Sequence, residues 1–354
     1  MRENKSEHIN DQGAALPRGY IFIFLGILML SLFIIDILTG SVSLNLSDLL
    51  MALSGKGLPE NNAIIYDFRL PRALTALLAG MALSVSGLQM QTVFRNPLAG
   101  PYVLGISSGA SLGVAILILG LSSAISTGIS IALNSWAIVL AAWLGSGIVL
   151  ILIMIVAIRV RDIMTVLILG IMFASAVSAI VSIMQYFSNE SMLKSFVIWT
   201  MGSLGNLSWK QLQVLIISVM AGLVISVMST KMLNALLLGE EHARSMGLKV
   251  RMSRIMIFIS TSILAGSVTA FCGPLAFIGI AVPHITRLIF STSSHNYLIP
   301  GTIMLGSIAL LASDILSQLP GSGRILPVNS VTALIGIPVL IWIIVRRNKF
   351  IRMS

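Results

Sequence analysis

Ten apolar runs, each close to the length that crosses a lipid bilayer, leave this chain few ways to fold. They cover residues 20–38, 73–91, 102–121, 136–158, 163–187, 212–228, 255–271, 275–289, 298–316 and 329–345. A spanning helix needs about 20 mainly apolar residues. Inside lipid only helices and closed barrels satisfy every backbone polar group. The chain is 56% hydrophobic and only 10% charged, with a mean hydropathy of +1.00. A soluble domain is nearer about 45–50% apolar and about 25% charged, so the surplus needs lipid as its solvent. These runs predict an all-α integral membrane protein with about ten transmembrane helices. The first run is too long for a secretory signal core of about 7–15 residues and lacks a cleavage pattern, so it reads as the first span. The expected organisation is a segment 1–19, one membrane domain 20–345 and a tail 346–354.

Charge sets the orientation. With the N-terminus in the cytoplasm and the spans alternating, Lys56, Arg69, Arg72, Lys194, Lys210 and Arg324 fall outside. The other sixteen of the 22 Lys and Arg fall inside, and so does the C-terminus. The positive-inside rule predicts this bias. Gly273-Pro274 leaves open one broken helix or two short spans, and two fit the charges better. The net charge of +10 is then topology rather than a nucleic-acid surface.

Spacing adds detail. Leu78-Ala79-Gly80, Gly87 and Pro97 recur as Leu264-Ala265-Gly266, Gly273 and Pro283, on spans two and seven. These spans run in opposite directions, the pattern of an inverted internal repeat. Gly105, Gly109 and Gly113 share one face of span three, where small residues let helices approach closely.

Several chemistries are missing. No G-x-x-x-x-G-K-[ST] loop is present, so no ATPase is expected in this chain. No nucleophile set stands out, and neither an enzyme nor a resident metal or cofactor is expected. The four His (His8, His242, His284, His295) are scattered, and Cys272, the single cysteine, reads as a small buried apolar residue. Asp36 and Asp314 lie near the outer ends of their spans. Ion-coupled transporters usually carry ionisable residues at mid-membrane. An ion-coupled secondary transporter therefore remains as the alternative, with a motor-driven permease favoured.

Two segments carry a resemblance. Gly87-x-x-x-Gln91-x-x-x-x-Asn96-Pro97-Leu98-Ala99-x-Pro101-x-x-Leu104-Gly105-x-Ser107-x-Gly109-Ala110 resembles the signature of the iron–siderophore, haem and vitamin B12 ABC-importer permeases (the FecCD type). Arg69-Leu70-Pro71-Arg72 precedes it. Gly273-Pro274, Phe277-Ile278-Gly279, Val282-Pro283-His284 and Val331-Thr332-Ala333-Leu334-Ile335-Gly336-x-Pro338 continue the likeness. The second segment, Leu238-Gly239-Glu240-Glu241-His242-Ala243-Arg244-Ser245-Met246-Gly247, resembles that family's coupling helix, within about 234–250. Read from the residues alone, it is either an ordinary solvated loop or a short helix. In a helix, Ala243 and Gly247 would give a slim face, and Glu240, Glu241 and Arg244 charged contacts.

The resemblance implies a permease in the bacterial inner membrane, working by alternating access. It implies a second permease copy, two ATP-binding-cassette ATPase subunits that hold ATP and Mg, and an extracytoplasmic substrate-binding protein. Leu238, Gly239, Glu240, Glu241, Ala243, Arg244 and Gly247 would couple to the ATPase. Arg69 and Arg72 would receive acidic residues of the binding protein, or else anchor span two at the headgroups. The family carries Arg where this chain has Gln318, and E-L-P-x-G at Ile325-Leu326-Pro327-Val328-Asn329; Arg324 is the nearby basic residue. Ser175, Ser178, Ser182 and Gln185 share one face of span five. They would line the route, or bond back to their own helix. The turn Arg161–Thr165 falls at the family's inner gate, with Ile163 and Met164 more apolar than usual there.

Overall fold

The computed structural model describes residues 18–42, 44–121, 135–160, 162–205, 207–318 and 325–351, and among these every regular element is helical. Seven stretches are long and apolar enough to cross a membrane. They correspond to α1 (Arg18–Leu38), α4 (Leu70–Val93, within a stretch from Pro59), α6 (Ser135–Arg159), α7 (Ile163–Tyr186), α9 (Trp209–Met228), α12 (Val250–Cys272) and α14 (His295–Ser317). Three expected spans form shorter apolar helices: α5 (Ile106–Ala115, with a π-helical tail), α13 (Ile278–Phe290) and α15 (Val328–Ile351, apolar over Val328–Trp342). At 1.5 Å per residue the 13 residues of α13 extend about 20 Å, short of the ~30 Å hydrocarbon layer.

α2 (Leu46–Leu53) and α3 (Pro59–Ala63) lead through a π-helical turn, Ile64–Arg69, into α4. α8 (Glu190–Thr200), α10 (Thr230–Leu237) and α11 (Glu240–Ser245) are short connecting helices. Cys272 is buried, as its apolar surroundings predict.

α4 is the axis of the fold, buried along most of its length. Its small residues make this possible. A Cβ on Gly80 would lie 2.2 Å from the Gly306 carbonyl oxygen, and one on Gly306 would lie 2.4 Å from that of Gly80. The backbones of α4 and α14 therefore touch, and van der Waals packing holds them where lipid supplies no hydrophobic drive. Gly87 meets Gly279 of α13 in the same way. Polar side chains add a second tie. Gln89 Nε2 donates to Ser260 Oγ (3.0 Å), its Oε1 accepts from Thr261 Oγ1 (2.8 Å), and Ser260 Oγ donates to the Gly222 carbonyl (2.9 Å). One buried amide thus joins α4, α12 and α9.

The glycines of span three divide. Gly109 and Gly113 press against Gly145 and Ala141 of α6, as their spacing predicts. Gly105 instead sits at the N-cap of α5 with φ +69°, a left-handed turn that a Cβ disfavours. The two repeat copies also differ locally. Gly87 is inside α4, whereas Gly273 ends α12 with φ +75°. Pro97 is in a loop, whereas Pro283 lies within α13. At residues 273–277 the chain leaves α12 and restarts as α13, so the Gly273-Pro274 region forms two helices. The break is satisfied by Tyr102 Oη, which donates to the Leu275 carbonyl (2.5 Å), and by Asn329 Oδ1, which accepts from the Ala276 N–H (2.9 Å).

Candidate functional site

At one end of the bundle the two helix-end acids meet the two arginines. The Arg72 guanidinium grips Asp314 with two hydrogen bonds, Nε to Oδ2 at 2.7 Å and Nη2 to Oδ1 at 2.8 Å, and Nη2 also reaches Ser317 Oγ at 3.2 Å. Gln318 Nε2 donates to Asp36 Oδ1 (3.0 Å) and to Asp314 Oδ2 (3.2 Å). Asp36 Oδ2 is buried and finds no donor among the described residues. Arg69 is buried too. Its Nη1 donates to the Ile37 and Leu38 carbonyls (2.8 and 2.7 Å), and its Nη2 to that of Val42. A cation over the last carbonyls of a helix satisfies groups with no partner within it.

The structure therefore places Arg69 and Arg72 inside the chain's own network, where they fasten α1, α4 and α14. It does not leave them as free surface cations. They line a cleft of about 410 Å³, open between Gly202–Gly205 and Gln318, Ile325 and Leu326. Arg324 lies outside the described residues. Gln318, the departure from the family pattern, is the bridge between the two carboxyls, a role that chain spacing alone does not reveal.

The serines of α7 are exposed, on a helix whose flank carries exposed Ile168, Ile171, Met172, Ile180 and Ile183. Ser175 and Ser182 donate to the carbonyls of Ile171 and Ser178 on their own helix (3.0 and 2.9 Å). Ser178, Ser182 and Gln185 also line a cleft of about 260 Å³ with Ser108 and Ser111 of α5 and Thr200 of α8. Ser175 and Ser182 thus bond back to their own helix, and Ser175 stands apart from the cleft. The turn before α7 is capped by Asp162, whose carboxylate accepts from the backbone of Met164 and Thr165 and from the Thr165 hydroxyl. These bonds, the Thr165 hydroxyl foremost, hold that carboxyl below its usual range. Arg161 is outside the described residues.

At the opposite end of α12, residues 240–245 form α11, bracketed by Gly239 at φ +103° and Gly247 at φ +82°. Few side chains adopt these angles, so glycine sets both corners. Ala243 is buried against its own chain, and its carbonyl accepts from the Leu248 N–H (2.9 Å). The slim face expected of Ala243 and Gly247 is corrected accordingly: Ala243 packs inward, in one apolar cluster with Leu233 and Leu236 of α10 and Val250 of α12. Glu240 also turns inward, bound to Arg254 of α12 with Arg244 at 3.7 Å. The outward surface consists of Leu238, Glu241, His242, Arg244, Ser245, Met246 and Gly247. Leu238 and Met246 are strongly exposed for apolar residues, at 62% and 58%.

Of the other histidines, His284 Nε2 pairs with the Pro97 carbonyl (2.9 Å), and His295 is buried. No group of three or more His, Cys, Asp or Glu suited to a metal ion occurs among the described residues.

Long apolar helices in backbone contact, with polar ties at their ends and a short helix presented outside the bundle, define a multi-pass membrane protein. The chain belongs to the FecCD transport family, whose model matches residues 27–346. The vitamin B12 import system permease BtuC of Klebsiella pneumoniae subsp. pneumoniae is 36% identical over 294 residues, 83% of this chain and 85% of that one. The hemin transport system permease HmuU of Yersinia pestis is 34% identical over 284 residues, 80% of this chain and 83% of that one. A solved inward-facing structure described as a metal-chelate type ABC transporter superposes with a TM-score of 0.81 at 27% identity. The match covers 93% of this chain and 99% of that one.

Proposed function

We propose that this chain is the membrane-spanning permease subunit of an ATP-binding-cassette importer for iron–siderophore, haem or cobalamin-type ligands in a bacterial inner membrane. Two copies form the route, and separate ATPase subunits supply ATP and Mg. The three shorter apolar helices, together with the turns that lead into them, complete ten crossings, with both termini in the cytoplasm. The α5–α7 cleft contributes hydroxyl groups to the route, and alternating access moves the ligand past it.

The observation that carries this reading is α11, in a chain of this family. A six-residue helix with inward-facing Ala243 and an internally paired Glu240 is held stiffly, while Glu241, His242, Arg244 and Met246 face outward. A motor subunit seated there moves the bundle rather than the loop. The binding protein docks at the other end, where Arg69 and Arg72 hold the surface in shape. The ion-coupled alternative is disfavoured because Asp36 and Asp314 sit within the last turn of α1 and α14.

Proteoliposome uptake tests the reading. With the ATPase and binding protein present, one of ferric siderophore, haem or cobalamin accumulates only when ATP is supplied. Met246→Glu puts a charge on the apolar part of the α11 surface and lowers uptake at least tenfold with the permease still folded. Uptake that ignores ATP and follows an ion gradient overturns the proposal.

A further inference from the structure

The end of the bundle that carries α11 holds a second set of side-chain bonds, which the sequence did not announce. Asn234 of α10, His295 of α14 and Thr92 of α4 stand in one line. Asn234 Oδ1 accepts from the His295 backbone N–H (2.8 Å) and lies 2.9 Å from its Nδ1. His295 Nε2 lies 2.9 Å from Thr92 Oγ1. The backbone N–H can only donate, so it fixes the Asn234 amide with its oxygen toward α14. That oxygen can only accept, so Nδ1 carries the ring proton. Nε2 then presents a lone pair to the Thr92 hydroxyl, which shares its proton with the Leu88 carbonyl at 2.9 Å. The neutral ring satisfies both of its nitrogens, and its own surface is fully buried.

The next residue along α4 extends the tie. Gln91 Oε1 accepts from Arg287 Nη1 (2.5 Å), and Gln91 Nε2 donates to the Ile280 carbonyl (3.1 Å), both on α13. Two consecutive residues of α4 therefore reach α13, α14 and, through His295, α10. α10 runs into α11 by way of Leu238 and Gly239, and Glu240 pins α11 to α12 through Arg254. The coupling segment thus meets the bundle at two polar points, one on α12 and one on α4 and α14. The latter two are already in backbone contact at Gly80 and Gly306.

We infer that Asn234, His295 and Thr92 are positioning residues that carry displacement of the coupling segment into α4 and α14. The inference rests on the permease reading above. A buried chain of hydrogen bonds suits this work better than apolar contact, because it has direction and resists sliding.

The test uses the complete importer in proteoliposomes, with ATP hydrolysis and ligand uptake measured side by side and melting temperatures matched. Thr92→Val and Asn234→Ala each remove one link while leaving the imidazole in place. Complex assembly and ATP hydrolysis are expected to stay within about twofold of the unaltered protein, while ligand moved per ATP falls at least tenfold. The double variant is expected to fall no further than the worse single one, since both cut one chain. Thr92→Ser, which keeps the hydroxyl, restores the ratio. Unchanged ligand per ATP in both variants, a proportional fall in uptake and hydrolysis, or failure of Thr92→Ser to rescue overturns the inference. If the unaltered protein shows no ATP-dependent uptake, the permease reading falls first and the inference with it.

Discussion

Replacing Arg72 by alanine is expected to destabilise the protein by about 3–5 kcal/mol, the range for removing one partner of a buried ion pair. Asp314 is fully buried and receives two of its hydrogen bonds from Arg72. Without the guanidinium its charge keeps Gln318 and Ser317 but loses its counter-ion, and Asp36 lies next to it across the Gln318 bridge. Arg72→Lys should recover only part of the loss, because an ammonium cannot form the two-pronged contact. The double change Arg72→Met with Asp314→Leu should recover most of it, since it removes both buried charges together. Thermal unfolding in detergent, followed by helical circular dichroism, reads all three. A single Arg72→Ala that melts with the unaltered protein would show that the pair holds nothing.

Gly87→Val should be at least as damaging, by a different cause. The Cβ alone would lie 1.7 Å from the Gly279 carbonyl oxygen and 2.8 Å from its Cα. Those are backbone atoms of another helix and cannot rotate away. The α4–α13 contact must open, and Gln91, one turn on, then loses its bond to the Ile280 carbonyl. Overpacking a core costs about 1–3 kcal/mol when side chains can yield, so a backbone obstruction should exceed ~3 kcal/mol. Gly19→Val, with nothing within 4 Å of the same position, is the matched control. Gly87→Val should give little folded protein and Gly19→Val normal yield, by monodisperse elution in detergent. Equal yields would refute the close approach.

The membrane helices were legible because lipid imposes one requirement, a sustained apolar run, and the residues state it directly. The expected runs 163–187 and 298–316 differ from α7 and α14 by three residues or fewer at each end. The π-helical tail that cuts α5 short and the 13-residue length of α13 were not legible, because both depend on which neighbour is packed alongside. Resemblance singled out the segment 238–247, and spacing did not show which way its residues face. Ala243 reads as a contact residue by spacing, whereas in the fold it is buried with Leu233, Leu236 and Val250. The two arginines were legible as charges out of place, whereas their partners, 242 residues away for Arg72 and 32 and 31 for Arg69, were not. Gln318 illustrates the same limit. It registered as a departure from a pattern, while its work as a bridge needs Asp36 and Asp314 brought together in space.

The glycine seam between α4 and α14 bears on how such a chain can change over generations. Where two backbones touch, one enlarged residue has no neutral intermediate: Gly306 cannot grow while Gly80 and Ser84 stand against it. Drift along that seam must proceed through paired exchanges or a preceding loosening of the bundle, whereas Ile23, Ile27 and Leu30 on the open side of α1 can be swapped one at a time among greasy residues. A saturation library of this protein, sorted on folded yield, would show the difference as a narrow forbidden track along α4 and a permissive stripe along α1.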